Sequence, residues 1–185
     1  MAHPIRHFRT ITAHRHLVIR HCRRAGIFWQ GLLHDLSKYS PAEFAVGARF
    51  YTDGTRSPNE AERQSYGYSK AWLHHKGRNR HHFEYWTDYD PVTKRIRPLP
   101  MPDRYIIEMA CDRIAASKIY MKDAYTDASP LAYYLRGKPT RFIEEETAKK
   151  LEDILTMLAE KGEDATFAFL RRAVKYGFSQ KERAK

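Results

Sequence analysis

Two cysteines in 185 residues, Cys22 and Cys111, are too few for a disulfide framework, and a reducing cytoplasm is the expected setting. No run of about 18 apolar residues occurs, so no segment is expected to span a membrane. The opening MAHPIRHFRT lacks the apolar core of a secretory signal and reads as mature chain. No stretch alternates apolar and polar residues between turn signals, and no sheet is expected. Internal repeats and low-complexity tracts are missing too. Acidic side chains are the minority, 22 against 33 Lys and Arg, and the net charge of +11 calls for an anionic substrate or partner. Histidine is absent after residue 82.

What is present starts with that histidine. All ten lie at positions 3, 7, 14, 16, 21, 34, 74, 75, 81 and 82. Hydrophobic residues make up 42% of the chain, enough to fill the core of one domain, which excludes a wholly disordered polymer.

The apolar period is helical throughout. Ile11, His14, Val18, His21, Cys22 and Ala25 share one face of a first helix, ended by Gly26. Phe28 to Leu36 is a second apolar segment, with Gly31 as a soft spot and the pair Leu32-Leu33 expected to anchor its end in the core. Ser40-Pro41-Ala42-Glu43 reads as a capping box opening a third helix, and Ser57-Pro58-Asn59-Glu60 repeats it after the turn 52–55. Ser69 caps a helix through His74-His75 that breaks at Gly77 and Asn79. Four prolines between Asp88 and Pro102 predict a loop without regular structure. Asp103 opens a long helix to about Lys122, Ser129-Pro130 a short one to Gly137, and residues 141–161 another, closed by Gly162. Asp164 caps a last helix to Tyr176, and a polar tail follows from 179. The expectation is an all-α helical bundle of about eight helices, with residues 1–185 as one domain.

Four elements carry chemistry. His34-Asp35 puts an imidazole and a carboxylate side by side at a helix end. His74, His75, His81 and His82 bring four imidazoles into nine residues, among Lys76, Arg78 and Arg80. Neutral imidazole suits several transition metals, so ligand type alone does not choose one. Asp112 emerges from a largely apolar helical face, where a carboxylate needs a cation as partner: a metal, Arg113 or a lysine. In the first helix His14 is the preferred ligand on its more apolar side, with His21 in reserve and His16 pointing elsewhere.

Taken together, the order His, His-Asp, His, His-His, Asp on an all-α chain resembles the HD-domain superfamily of metal-dependent phosphohydrolases. The resemblance rests on His14, on Leu33-His34-Asp35-Leu36-Ser37-Lys38, on His75 and His81-His82, and on Asp112. More closely, HDLSKYSPAEF, HHKGRNRHHFEYW and EMACDRIAASK resemble a bacterial family of unknown function over about residues 10–135, with helices 141–177 packing on that core. The segment 51–68 reads as an insertion beside the site.

The resemblance implies one or two divalent ions (Fe, Mn, Zn, Ni or Co). His14, His34, Asp35 and Asp112 would form one position, and His75 with His81 or His82 a second, with Asp35 bridging. It implies an enzyme that hydrolyses a phosphate ester such as a nucleotide. Asp35 and Lys38 would be its catalytic residues, with Lys38, Arg78, Arg80 and Arg113 as phosphate contacts. Two alternatives stand beside it. One is a diiron oxygenase of the same superfamily. The other is a nucleic-acid-binding module using residues 76–80 with Arg15, Arg20, Arg23 and Arg24.

Overall fold

Helix α1 runs Pro4–Ala25, with proline in its first turn and Gly26 at φ 89° closing it, the Gly26 N–H turned back to Arg23. A computed structural model describes residues 2–52 and 56–178; the tip of the turn at 53–55 and the tail from 179 lie outside the described residues. The order continues α2 (Phe28–Leu33), α3 (Pro41–Arg49), α4 (Pro58–Tyr66), α5 (Lys70–Lys76), β1 (Thr87–Asp90), β2 (Arg95–Pro98), α6 (Asp103–Met121), α7 (Ser129–Gly137) and α8 (Glu145–Tyr176). The protein is all-α, with α1 packed against α2, α3, α6 and α8.

Helix α6 is the centre. From Ile106 to Cys111 every residue is buried, so this turn and a half is enclosed all round by α1, α7 and α8. Val18 and Cys22 of α1 meet Ile106, Ala110 and Ile114 of α6, with Leu151, Ile154, Leu155 and Leu158 of α8, in one continuous core. Helix α8 is two helical segments: Gly162 has φ 76° and ψ 177°, a conformation that favours glycine. Asp164, expected to cap the second segment, gives its carboxylate to Arg24 at 2.6 Å. The first segment is capped by Glu144, which accepts from the N–H groups of Glu146 and Thr147.

The expected loop at 88–102 is corrected in part. Thr87–Asp90 and Arg95–Pro98 form an antiparallel hairpin, Thr87 opposite Pro98 and Asp90 opposite Arg95. The prolines are compatible because Pro91 lies in the turn and Pro98 ends its strand, where a ladder N–H is dispensable. Asp90 Oδ1 accepts from the N–H groups of Val92 and Thr93 to fold that turn. The hairpin is largely exposed, so it carries no alternating apolar pattern to be read.

Two further expectations change. Ser40 and Ser57 precede α3 and α4, but neither hydroxyl makes a cap bond; Ser69 does, accepting from Trp72 N–H at 2.9 Å. The pair Leu32-Leu33 does not anchor α2, since Leu33 is 69% exposed. Gly31 does so by close approach: a Cβ there would stand 2.5 Å from Cys22 Cβ.

His21, the reserve ligand, belongs to the core. Its ring lies against Phe167 and its Nδ1 is 3.2 Å from the Cys111 carbonyl. Burial pushes its pKa down to about 4, outweighing the carbonyl bond. In the unfolded chain it titrates near 6.5, so between these values the unfolded state binds more protons and stability falls as pH falls. His21→Gln removes the titration. The stability gap between the native protein and this variant should therefore shrink by up to about 3 kcal/mol from pH 7.5 to 4. Urea midpoints at several pH values measure it; a constant gap would mean that His21 is not held neutral.

Candidate metal centre

Five elements converge on Asp35. His14 comes from α1, His34 and Asp35 from the end of α2, His75 from α5, His81 and His82 from the turn after it, and Asp112 from α6. Asp35 has φ 54°, the left-handed conformation that aspartate tolerates better than most residues. That reversal lets two adjacent side chains face one centre, which neither a helix nor a strand allows. Arg15 holds the reversal in place, its guanidinium donating to the carbonyls of Leu32 and His34. Arg15, read as part of a nucleic-acid-binding face, is a brace for the site.

The ligand atoms sort into two sets that share Asp35. His14, His34, Asp35 and Asp112 form one, and Asp35, His75, His81 and His82 the other; within each set the atoms lie within 4.8 Å of one another. On the first side, Asp35 Oδ2 is 3.3 Å from His34 Nε2 and 4.0 Å from His14 Nε2, and Asp112 Oδ1 is 2.9 Å from His14 Nε2. On the second, Asp35 Oδ1 is 3.3 Å from His75 Nε2 and 3.4 Å from His81 Nε2. One oxygen faces each set. His75 and His82 Nε2 stand 2.9 Å apart, close to the ~3.0–3.4 Å between two nitrogens each ~2.1 Å from one ion.

A second layer of carboxylates orients the imidazoles. Glu108 Oε1 lies 2.9 Å from His34 Nδ1 and 3.2 Å from His81 Nδ1. Glu43 lies 2.8 Å from His75 Nδ1 and 2.6 Å from His74 Nδ1. With Nδ1–H donated outward, the Nε2 lone pairs of His34, His75 and His81 point to the centre. Glu43 is therefore not the third residue of a capping box; its stronger partners are the two histidines. His74 faces Glu43 alone and belongs to neither set. Asn79 fastens the arrangement, its Nδ2 donating to the His75 carbonyl and to Ser37 Oγ, both at 2.8 Å.

The residues fit a cation. Among the described residues His34 and His81 Nε2 and Asp35 Oδ1 are buried with no well-formed hydrogen bond, while Asp35 Oδ2 has the Lys38 ammonium at 2.6 Å and His14 Nε2 faces only the Asp112 carboxylate. Each unsatisfied group of this kind costs roughly 1–3 kcal/mol, and divalent ions at this point would satisfy them together. The donors are nitrogen and oxygen only, which suits Zn, Fe, Mn, Co or Ni and disfavours ions that need thiolate. Charge agrees: burial raises the Asp35 and Asp112 pKa values, yet the surrounding imidazoles, with Lys38 on Asp35, outweigh it and hold both well below the usual carboxylate range. Burial lowers His82 and His14, keeping them neutral, as ligands must be, whereas Asp35, Asp112 and Glu108 outweigh burial and raise His34, whose proton a bound ion would displace.

A cavity of about 140 Å³ opens on this centre, reaching Asp35, Asp112, His75 and His82. Lys38 lines it, with Nζ 2.6 Å from Asp35 Oδ2, and so do Tyr51 and Ser57 from the stretch read as an insertion. Arg78, Arg80 and Arg113, expected as phosphate contacts, do not. Arg78 folds back toward the His74 carbonyl, Arg80 reaches Tyr105 on the outside, and Arg113 lies over Tyr134 on the α7 side of α6. Sequence reading missed Glu43 and Glu108 as supports, and Tyr120 as a cavity residue. Of the basic group on α1, Arg24 is tied to Glu163 and Asp164, leaving Arg20 and Arg23 exposed.

Among the described residues no helix is long and apolar enough to cross a membrane. Residues 3–157 match a family of unknown function, DUF5662, in keeping with the motif runs that resemble such a family. No curated protein and no solved structure matches the chain.

Proposed function

The chain belongs to the DUF5662 family, and from its ligand cage we propose that it is a metal-dependent hydrolase of phosphate esters, of the HD-domain kind. One observation carries this reading: a buried carboxylate, Asp35, turns one oxygen to each of two imidazole-and-carboxylate sets at the floor of a cavity that also holds Lys38. When bound, divalent ions at such a pair lower the pKa of water and polarise a phosphoryl group.

The chain's own residues do the rest. Glu108 and Glu43 fix the imidazole tautomers, so the lone pairs are aimed before any ion arrives. Lys38 stays charged: burial lowers its pKa, but Asp35 and Asp112 more than offset this and raise it. Its ammonium then offers a point charge to phosphate oxygens beside the cage. The +11 balance favours an anionic substrate over a neutral one.

The test is phosphate release from a broad ester panel by protein loaded in turn with Mn, Fe, Co, Ni and Zn. Release is expected with at least one metal, lost to a chelator and lost in Asp112→Ala. Lys38→Gln should raise KM more than it lowers kcat. Metal-loaded protein that releases no phosphate from any ester would sink the reading, and oxygen uptake by the iron form would replace it with a diiron oxygenase.

A further inference from the structure

The cavity continues beyond the point a phosphate on the metal cage would fill. His14 and His7 share a face of α1 and stand seven residues apart, ~10 Å along the helix axis. His7 also lines the cavity, with Thr10 one turn nearer the cage and Tyr51 opposite. A phosphoryl group held by the ions and Lys38 spans only part of that distance. His7 therefore faces whatever is esterified to the phosphorus.

The His7 ring is placed with some care. It is buried between Phe44 and Tyr51, with ring centroids 5.3 and 6.1 Å away. Gly47 makes its room: a Cβ there would fall 2.1 Å from His7 Nε2. Among the described residues neither ring nitrogen of His7 has a hydrogen-bond partner. Burial, with Lys38 adding to it, lowers its pKa to about 4, so the ring is a neutral imidazole with one donor and one acceptor. Thr10 Oγ1 donates to the Arg6 carbonyl at 3.1 Å and so accepts from Tyr51 Oη at 2.9 Å, which leaves acceptor capacity on both oxygens. Of the charged groups at this end, Glu43 is held by two histidines, while Arg56, exposed at the edge of the cavity, gives one N–H to Gln64 Oε1 at 2.9 Å and keeps its charge.

We propose that the cavity selects a phosphate monoester of a small polyol, its phosphate on the cage and Lys38 and its hydroxyls on His7, Thr10 and Tyr51. Hydroxyls donate and accept at once, which matches a neutral imidazole that does both beside two hydroxyl oxygens that can still accept. Size points the same way: about 140 Å³ is below the ~300 Å³ at which pockets for drug-sized ligands begin, which favours a small group beyond the phosphate over a base and sugar. This substrate class rests on the phosphohydrolase reading and replaces the nucleotide expected from the resemblance.

The experiment has two arms on the metal-loaded full chain. In turnover, kcat/KM for glycerol 3-phosphate should exceed that for adenosine 5′-monophosphate by at least about tenfold. In calorimetry, the non-hydrolysable methylene phosphonate analogue of glycerol 3-phosphate should bind roughly tenfold more weakly to His7→Leu, while inorganic phosphate weakens less than about twofold. Thr10→Val and Tyr51→Phe, which remove only hydroxyls, should act in the same direction if His7→Leu fails to fold. A preference for the nucleotide, or equal weakening of both ligands, overturns the proposal and leaves the hydrolase reading intact. No phosphate released from any ester overturns both.

Discussion

Asp35→Ala is expected to empty both metal positions at once. Each set of ligands would still hold three side chains, but only Asp35 belongs to both, with one oxygen to each. Elemental analysis of protein purified without chelator should find close to two divalent ions per chain in the native protein and a background level in the variant. His81→Ala, which touches only the second set, should leave about one. The loss is a loss of stability as well. A site saturated a hundredfold above its dissociation constant contributes about 2.7 kcal/mol, so two contribute about 5 kcal/mol. At roughly 2–4 °C per kcal/mol for a chain of this size, the melting temperature should fall by about 10–20 °C. The variant also strands Lys38, whose Nζ is 2.6 Å from Asp35 Oδ2, and this adds to the loss. Two ions retained in Asp35→Ala would refute the shared carboxylate. Background metal in the native protein would refute the centre itself.

The ligands could be read from sequence far more directly than their supports, for a physical reason. Histidine and aspartate are costly to bury and rarely cluster, so His34-Asp35, the paired histidines and Asp112 stand out by type and spacing alone. The helices were legible for a similar reason: the apolar stripe of α1 and the glycines at 26 and 162 mark faces and ends directly. Glu43 sits three residues after Ser40 and two after Pro41 at a helix start, where a cap is the local reading, and its true partners are 31 and 32 residues away. Arg15 reads as one more surface cation; only the folded chain shows that it grips the carbonyls on either side of Leu33. The hairpin was invisible because its side chains are exposed on both faces, so no period is written into it. Phosphate contacts assigned by proximity in sequence failed at Arg113. Its neighbour Asp112 faces the cage, but the next residue along a helix turns about 100° away.

Glu108 should prove the most sensitive residue that is not itself needed as a ligand. One oxygen, Oε1, takes the Nδ1 protons of His34 in the first set and His81 in the second, while Oε2 accepts from Gln30. A signal for this was present in the sequence. Glu108, buried, and Asp112, partly buried, lie four apart on one face of α6, and like charges there need cations between them. Burial raises the Glu108 pKa, but its bonds to His34 and His81 outweigh this and bring it to about 2, so the group is an anion at any working pH. Glu108→Ala leaves two buried imidazoles free to turn or to change tautomer. Loss of such a partner typically costs 10–100-fold in metal affinity, and here the cost falls on both positions. Glu108→Gln separates charge from geometry. An amide oxygen at the Oε1 position still accepts both protons, but the amide nitrogen then meets the Gln30 nitrogen, donor against donor. Gln30 is not free to flip, since its Oε1 accepts from Arg104 at 2.6 Å. The amide should therefore weaken binding less than alanine does, and Glu43→Ala, which touches only His75 among the ligands, should weaken the second position alone. Competition with a metal-sensitive chelating dye resolves the two affinities. Equal affinities in Glu108→Ala and the native protein would mean that packing alone, without this carboxylate, holds the imidazoles in place.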